Sequence, residues 1–446
     1  MIVKMSIKSS YESIYFLIMI LYMAMATPYT QVLNFPPYKA VWSFFIPVIL
    51  TVILVARKYY LFRITRTNVF CFLIIFVWII FHYFKYGQVY PMTLFLIYNV
   101  IMAYIFVTVF GYKIFVLYEQ YVSLLALISI ILWSLYQVTP IIWDNIYSIF
   151  SVIDGSDTSR SNILIFGVAN SSDILGTRNL GFAQEPGFFG VFLIIAIYFN
   201  LVLNRFSLSG NNNFYVLVLA LVTTQSTTGY LSLLPIIFLY FFQKSVFTKT
   251  FIIFLMLCAV PLIISLPFIG EKISTYMYSE DSIETATMSS DYQSTINSVY
   301  VPQRIDGFVF EWFNFMNDPV LGYGTEFSRN SFVGNFIGDA IVVSNGNVKI
   351  FSKFGFIIGI LFFLGVYKTG KLLHPFYPVL GGICFLFTFL VIGFSYDIIH
   401  IPLLLSIWIF SFLKPQKVVS KRNYIKCVTD ILTKPSAKKM TYEIGK

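Results

Sequence analysis

Charge is scarce in this chain. Of its 446 residues only 11% are Asp, Glu, Lys or Arg, against roughly 25% in an ordinary soluble domain. So little charge cannot furnish the surface of a water-soluble fold. Cysteine is scarcer still. Cys71, Cys258, Cys384 and Cys427 form no CxxC pair and no cluster with histidine, which argues against disulfides and structural zinc. A GxxxxGK[ST] phosphate loop is missing, as is an Asp-x-Asp metal pair in a soluble domain. Those absences argue against transport driven by the chain's own ATP hydrolysis and against a typical sugar-nucleotide transferase. No internal repeat of the kind found in many secondary transporters is visible. The first apolar run, from Tyr11, lacks a small-residue cleavage site and reads as a signal anchor.

Hydrophobic residues are abundant. They make up 58% of the chain, the mean hydropathy is +0.79, and Phe (49) and Tyr (31) are frequent. The solvent for this much apolar surface is lipid, and a span needs about 20 mainly apolar residues. Such runs fall near 11–28, 40–56, 67–84, 91–110, 118–138, 186–204, 206–225, 229–247, 250–269, 353–369, 376–395 and 398–413. The expected fold is therefore all-α: a polytopic transmembrane bundle of about 12 spans over residues 1–413, followed by a basic tail over 414–446.

Lysine and arginine set the orientation. With both termini in the cytoplasm, 21 of the 30 basic residues fall inside, nine of them from Lys414 onward. The acidic residues sort the other way, four inside and sixteen outside. Residues 206–247 read either as two short spans or as one span with a re-entrant piece. The basic tail requires two crossings there or none. Two larger loops, 139–185 and 270–352, then lie outside, and the second carries ten acidic residues. A basic juxtamembrane tail suits an anionic cytoplasmic leaflet better than nucleic acid.

The apolar runs hold no ladder of Asp, Glu and Lys, which weakens an ion-coupled transport reading. Charges gather instead at the outer helix ends. One cluster, Arg178 to Gly187, leads into the span from Phe188. Pro186 suits a first helical turn and Glu185 complements the helix dipole. Glu185 is either only a cap, with Arg178 snorkelling beside it, or a partner to Arg178 on a phosphate oxygen. A second cluster begins at Tyr300-Val301-Pro302-Gln303-Arg304 and continues into an amphipathic segment with Ile305, Phe308, Trp312 and Phe315 on one stripe. That segment either lies in the membrane interface or packs its aromatics on the bundle. The Asp318–Thr325 stretch follows, and Gly322 and Gly324 mark a turn whose backbone can approach a ligand closely. Of three histidines, His400 follows Asp397 by three residues at an outer helix end and is a candidate base; His82 is a weaker one and His374 lies inside.

These motifs resemble those of the bacterial O-antigen and capsular polysaccharide polymerases, which are related to the O-antigen ligases. The matching features are Arg178, Gly181, Glu185 and Pro186; Ser226-Thr227-Thr228-Gly229-Tyr230; and Arg304, Trp312, Pro319, Gly322 and Gly324, closing with Lys353 to Gly359. In the ligases a His-Asn pair precedes that last glycine. Here Ser344-Asn345 takes its place, which tilts the resemblance toward the polymerases.

The resemblance implies a multi-pass protein of the bacterial cytoplasmic membrane that joins undecaprenyl-diphosphate-linked oligosaccharide repeats at its outer face. It implies catalytic Arg178, Glu185 and Arg304, with Tyr323, Gly322, Gly324 and His400 on substrate. It implies no cofactor and no metal, and a flippase and a chain-length regulator as partners. A ligase acting on a lipid core or protein, and a lipid-linked oligosaccharide flippase, are the competing readings.

Overall fold

The structure, a computed structural model, describes residues 11–25, 46–58, 66–88, 90–141, 160–163, 166–169, 177–183, 185–242, 304–333, 345–397, 399 and 401–413. The expected span at 250–269, His400 and the basic tail lie outside the described residues. The helices are α1 (Tyr11–Met25), α2 (Ile46–Lys58), α3 (Arg66–Tyr86), α4 (Pro91–Phe110), α5 (Lys113–Val138), α6 (Pro186–Leu203), α7 (Asn212–Thr224) and α8 (Thr227–Phe242). They continue with α9 (Arg304–Asn317), α10 (Phe327–Asn330), α11 (Gly346–Leu373), α12 (Pro378–Ser395), α13 (Pro402–Trp408) and α14 (Phe410–Leu413). Six are long and apolar enough to cross a membrane: α3, Thr93–Phe110 within α4, α5, α6, α11 and α12.

The chain is mostly helical but not wholly so. The first large loop carries a three-stranded antiparallel sheet, β1 (Arg160–Ile163), β2 (Phe166–Ala169) and β3 (Arg178–Gly181), in that order. An all-α expectation misses it because four-residue strands leave no periodic signal long enough to read.

Helix α6 is the axis of the bundle. Its sequence is apolar on every side, and each residue from Pro186 to Leu201 is buried, as expected of a helix with neighbours all round. Helices α5, α7 and α8 and strand β3 pack against it, and α11 and α12 pack together beyond α8.

Within 206–247, the described part, 206–242, is a helical hairpin of two short apolar helices, α7 and α8. Gln225 in the left-handed conformation ends α7, and the Ser226 hydroxyl accepts from the Gly229 amide at 3.2 Å to start α8. The two helices run antiparallel. Thr224 and Gln225 lie beside Arg178, whereas Phe242 returns to Tyr377, with ring centroids 6.1 Å apart, at the other end of the bundle.

A buried polar knot fixes that other end. Glu119 Oε1 accepts from Asn200 Nδ2 at 2.8 Å, Asn213 Nδ2 at 3.0 Å and Ser123 Oγ at 3.3 Å, and Asn200 and Asn211 exchange amide hydrogen bonds. It ties α5 to α6 and α7. Glu119→Leu orphans buried donors, at a cost of about 2–4 kcal/mol. The thermal midpoint of the purified protein in detergent should fall accordingly, and Glu119→Gln, whose oxygen still accepts, should fall less. A leucine variant melting like the native chain would remove the knot from the account.

Helix α11 is broken. Gly355 has φ +75° and ψ 174° in its midst. The turn from Asp318 to Gly324 fills the break and takes up the hydrogen bonds the helix gives away. The Tyr323 amide donates to Ser352 O at 2.8 Å, the Gly324 amide to Lys353 O at 3.0 Å, and the Phe356 amide to Pro319 O at 2.8 Å. Backbone freed by a helix break must be satisfied by neighbouring groups in this way.

Candidate functional site

Arg178 sits at the start of β3 on a heavily tethered corner. Its neighbour Asn179 is buried and donates to Thr223 Oγ1 at 2.9 Å on α7 and to Ser129 Oγ at 3.3 Å on α5. Phe182 packs on Phe189 and Phe192 of α6. The guanidinium is held in turn: Nε donates to Thr224 O and Nη2 to Gln225 O, each at 3.1 Å. It thereby covers the carbonyl end of α7, where a cation is favoured by the helix dipole.

Glu185 occupies the N-cap position of α6 in an extended conformation, yet its side chain makes no cap hydrogen bond. Its place before the first helical turn still complements the helix dipole. Glu185 thus stands at the mouth of α6, while Arg178, seven residues earlier, is held at the end of α7.

The second sequence cluster divides. Arg304 opens α9, with its side chain outside the described residues. Gly322, Tyr323 and Gly324 lie on the turn that fills the broken helix. A side chain at Gly322 would meet the Lys353 carbonyl group 2.5 Å away, and one at Gly324 would meet the His82 ring at 2.9 Å. What these glycines approach closely is protein. Trp78 Nε1 donates to Leu321 O at 2.9 Å, His82 Nε2 lies 3.1 Å from the same oxygen, and Lys85 pairs with Asp318. The Tyr323 ring is buried and its hydroxyl donates to Glu311 Oε1 at 3.2 Å. His82 thus clasps the turn. Asn345, in place of the ligase pair, caps α11 by accepting from the Asn347 and Val348 amides at 3.2 and 3.3 Å.

Beneath that turn lies a charge cluster that sequence reasoning did not assemble. Glu311 of α9 is fully buried. It accepts from Ser352 Oγ as well as Tyr323, and burial pushes its carboxyl above the usual carboxylate range. Lys349 and Lys353, one turn apart on α11, both face Asp397, with Nζ to Oδ2 distances of 3.0 and 3.9 Å. The signal available in the sequence was the i, i+4 spacing of the lysines together with Glu311 and Asn314 among aromatics. The partner carboxylates, however, lie nearly forty residues before Lys349 and over forty after Lys353.

The two corners meet at Ser395-Tyr396-Asp397. Three helices begin around this segment. The Thr228 hydroxyl at the start of α8 is 2.7 Å from that of Ser395. Gly187 at the start of α6 leaves room for the Tyr396 hydroxyl, and Gly346 at the start of α11 for the Tyr396 carbonyl. Their far ends also gather, since Phe206 just beyond α6 stacks near Tyr240 of α8 and His374 at the end of α11. Three helix N-termini, each carrying a partial positive charge, therefore meet at one segment, whose Asp397 also faces Lys349 and Lys353.

No protein-family model matches this chain, and no curated protein matches it. The functional reading rests on the chain's own residues and on the resemblance of its motifs to those of the polysaccharide polymerases. Two ammonium groups and three helix N-termini thus gather around one polar segment, the kind of arrangement that favours negative charge.

Proposed function

We propose that this protein is a membrane glycosyltransferase that polymerises undecaprenyl-diphosphate-linked oligosaccharide repeats into O-antigen, capsular or exopolysaccharide at the outer face of the bacterial cytoplasmic membrane. The single observation that supports the reading is the convergence of three helix N-termini on Ser395–Asp397, with Lys349 and Lys353 facing Asp397. The full reading has 12 spans, both termini in the cytoplasm, and these groups outside.

In the reaction, a sugar hydroxyl of the incoming repeat attacks the anomeric carbon of the growing chain. The bond from that carbon to the diphosphate oxygen breaks, and undecaprenyl diphosphate departs with the electron pair. Arg178 and the helix mouths stabilise the charge that develops on the diphosphate, as preorganised donors do without rearranging. Glu185, at the N-cap position of α6, either accepts the hydroxyl proton or orders the guanidinium, in which case the proton passes to the departing diphosphate. Arg304 joins the phosphates from the start of α9 and His400 contacts substrate, while Gly322, Tyr323 and Gly324, which themselves pack on protein, shape the site by fixing the turn against α11. A flippase and a chain-length regulator act as partners.

The test is the purified protein in vesicles with synthetic undecaprenyl-diphosphate repeat units. A ladder of lengthening lipid-linked glycans is the expected product. Transfer only to a lipid core or protein would make the protein a ligase. Movement across the bilayer with no new glycosidic bond would make it a flippase and overturn the proposal.

A further inference from the structure

Helix α9 is inside out. Its protein-facing residues are Gly307, Glu311 and Asn314, all buried. Among its described side chains the outward ones are Phe308, Val309, Trp312, Phe313 and Met316, with Asn317 at the end of the helix; Phe313 is 55% and Met316 59% exposed, and Val320 just beyond is 62% exposed. A helix on a water-facing surface has the opposite arrangement. Of the expected aromatic stripe, Phe308 and Trp312 point away from the bundle, and only Phe315 turns partly inward, against Phe351 at 5.9 Å.

Two features of its surroundings say what covers this face. The first is continuity. The turn after α9 is pinned to the last turns of α3 through Lys85–Asp318 and the Trp78 and His82 contacts to Leu321 O. Helix α3 is long enough to span a membrane and shows an exposed apolar flank of Val69, Phe70, Leu73, Phe76, Ile80 and Phe81. The second is length. The 14 residues of α9 extend only about 21 Å, short of the hydrocarbon thickness of about 30 Å. The helix therefore does not cross, and it sits level with the end of a helix that can.

We propose that α9 is a membrane-seated interfacial helix, with Phe308, Val309, Trp312, Phe313 and Met316 in lipid at the boundary of head groups and acyl chains. Its polar underside, Glu311 and Asn314, roofs the Lys349–Lys353–Asp397 cluster, so one helix separates lipid on one side from buried charge on the other. Trp312 supplies the amphipathic ring favoured at that depth. The inference needs only that α3 lies in a membrane and does not depend on the polymerase reading.

The test uses full-length protein in phosphatidylcholine–phosphatidylglycerol vesicles. Single cysteines at Phe313→Cys and Met316→Cys, in a background with the four native cysteines replaced, are labelled with an environment-sensitive fluorophore. Gln88→Cys, on the exposed loop after α3, is the control. Doxyl-labelled lipids should quench the α9 labels several-fold more than the control, and aqueous iodide should show the reverse. Equal quenching by iodide at all three sites, or protection from both quenchers at α9, would overturn the proposal in favour of water or protein on that face. Because the replaced background can fail to fold, the unmodified chain is also treated with a photoactivatable phospholipid. Adducts on residues 308–316 are expected, and adducts on α3 without any on α9 would refute the assignment.

Discussion

Gly355→Ala is expected to cost on the order of 3–5 kcal/mol, through backbone strain, a clash and lost hydrogen bonds. A side chain there would run into the Val320 carbonyl, and φ of +75° is a region that L-residues adopt only with strain. Relieving either means withdrawing the 318–324 turn, which supplies the partners of Ser352 O, Lys353 O and the Phe356 amide. Gly210→Ala separates the two contributions. Gly210 has nearly the same φ, +71°, with nothing near a new methyl group, so that variant should lose only about 1 kcal/mol. The measurement is the thermal midpoint of each purified variant in one detergent. If the two variants melt together, the docking of the turn into the break is not what requires Gly355.

Arg178→Ala is expected to reduce chain extension by about a hundredfold or more, the scale seen when a preorganised donor to developing negative charge is removed. Its effect on stability should be modest. The guanidinium also covers the carbonyl end of α7 through Thr224 O and Gln225 O, and losing that contact costs about 1 kcal/mol. Arg178→Lys sharpens the contrast. An ammonium restores positive charge at the helix end but not the rigid fork that meets two oxygens at once, so stability should recover while extension does not. Full-length glycan from Arg178→Ala, or activity that tracks the thermal midpoint across the series, would reduce Arg178 to a structural cap.

The sequence was informative where the signal is local and opaque where it is not. Apolar runs located most helices, and Pro186 marked the start of α6 within one residue of the observed boundary. The Arg178–Glu185 stretch was legible because its members are neighbours in the chain. The Glu311, Lys349, Lys353 and Asp397 cluster was not, because α9, α11 and the end of α12 come together only in the folded bundle. The first turns of α11 fall within the expected outer loop 270–352, because Lys349 and Lys353 interrupt the apolar run. Their partner Asp397 makes that stretch helical at an acceptable electrostatic cost. The Gly355 break gave no warning, because Lys353 to Gly359 reads as an uninterrupted helix start. For α9, periodicity revealed an apolar stripe but not its direction, which depends on the solvent outside it.

Asn68 adds a condition on how the chain is made. Its side-chain amide near the start of α3 donates to Phe412 O at 3.4 Å and Leu413 O at 3.2 Å, partners 344 and 345 residues away in the chain. At synthesis rates of about 5–20 residues per second, those carbonyls emerge tens of seconds after Asn68 does. Trp78 and His82 likewise wait for Leu321. The amino-terminal helices therefore enter the bilayer with polar groups whose permanent partners do not yet exist. Assembly of this bundle is completed from its carboxyl-terminal end, as a late event after insertion.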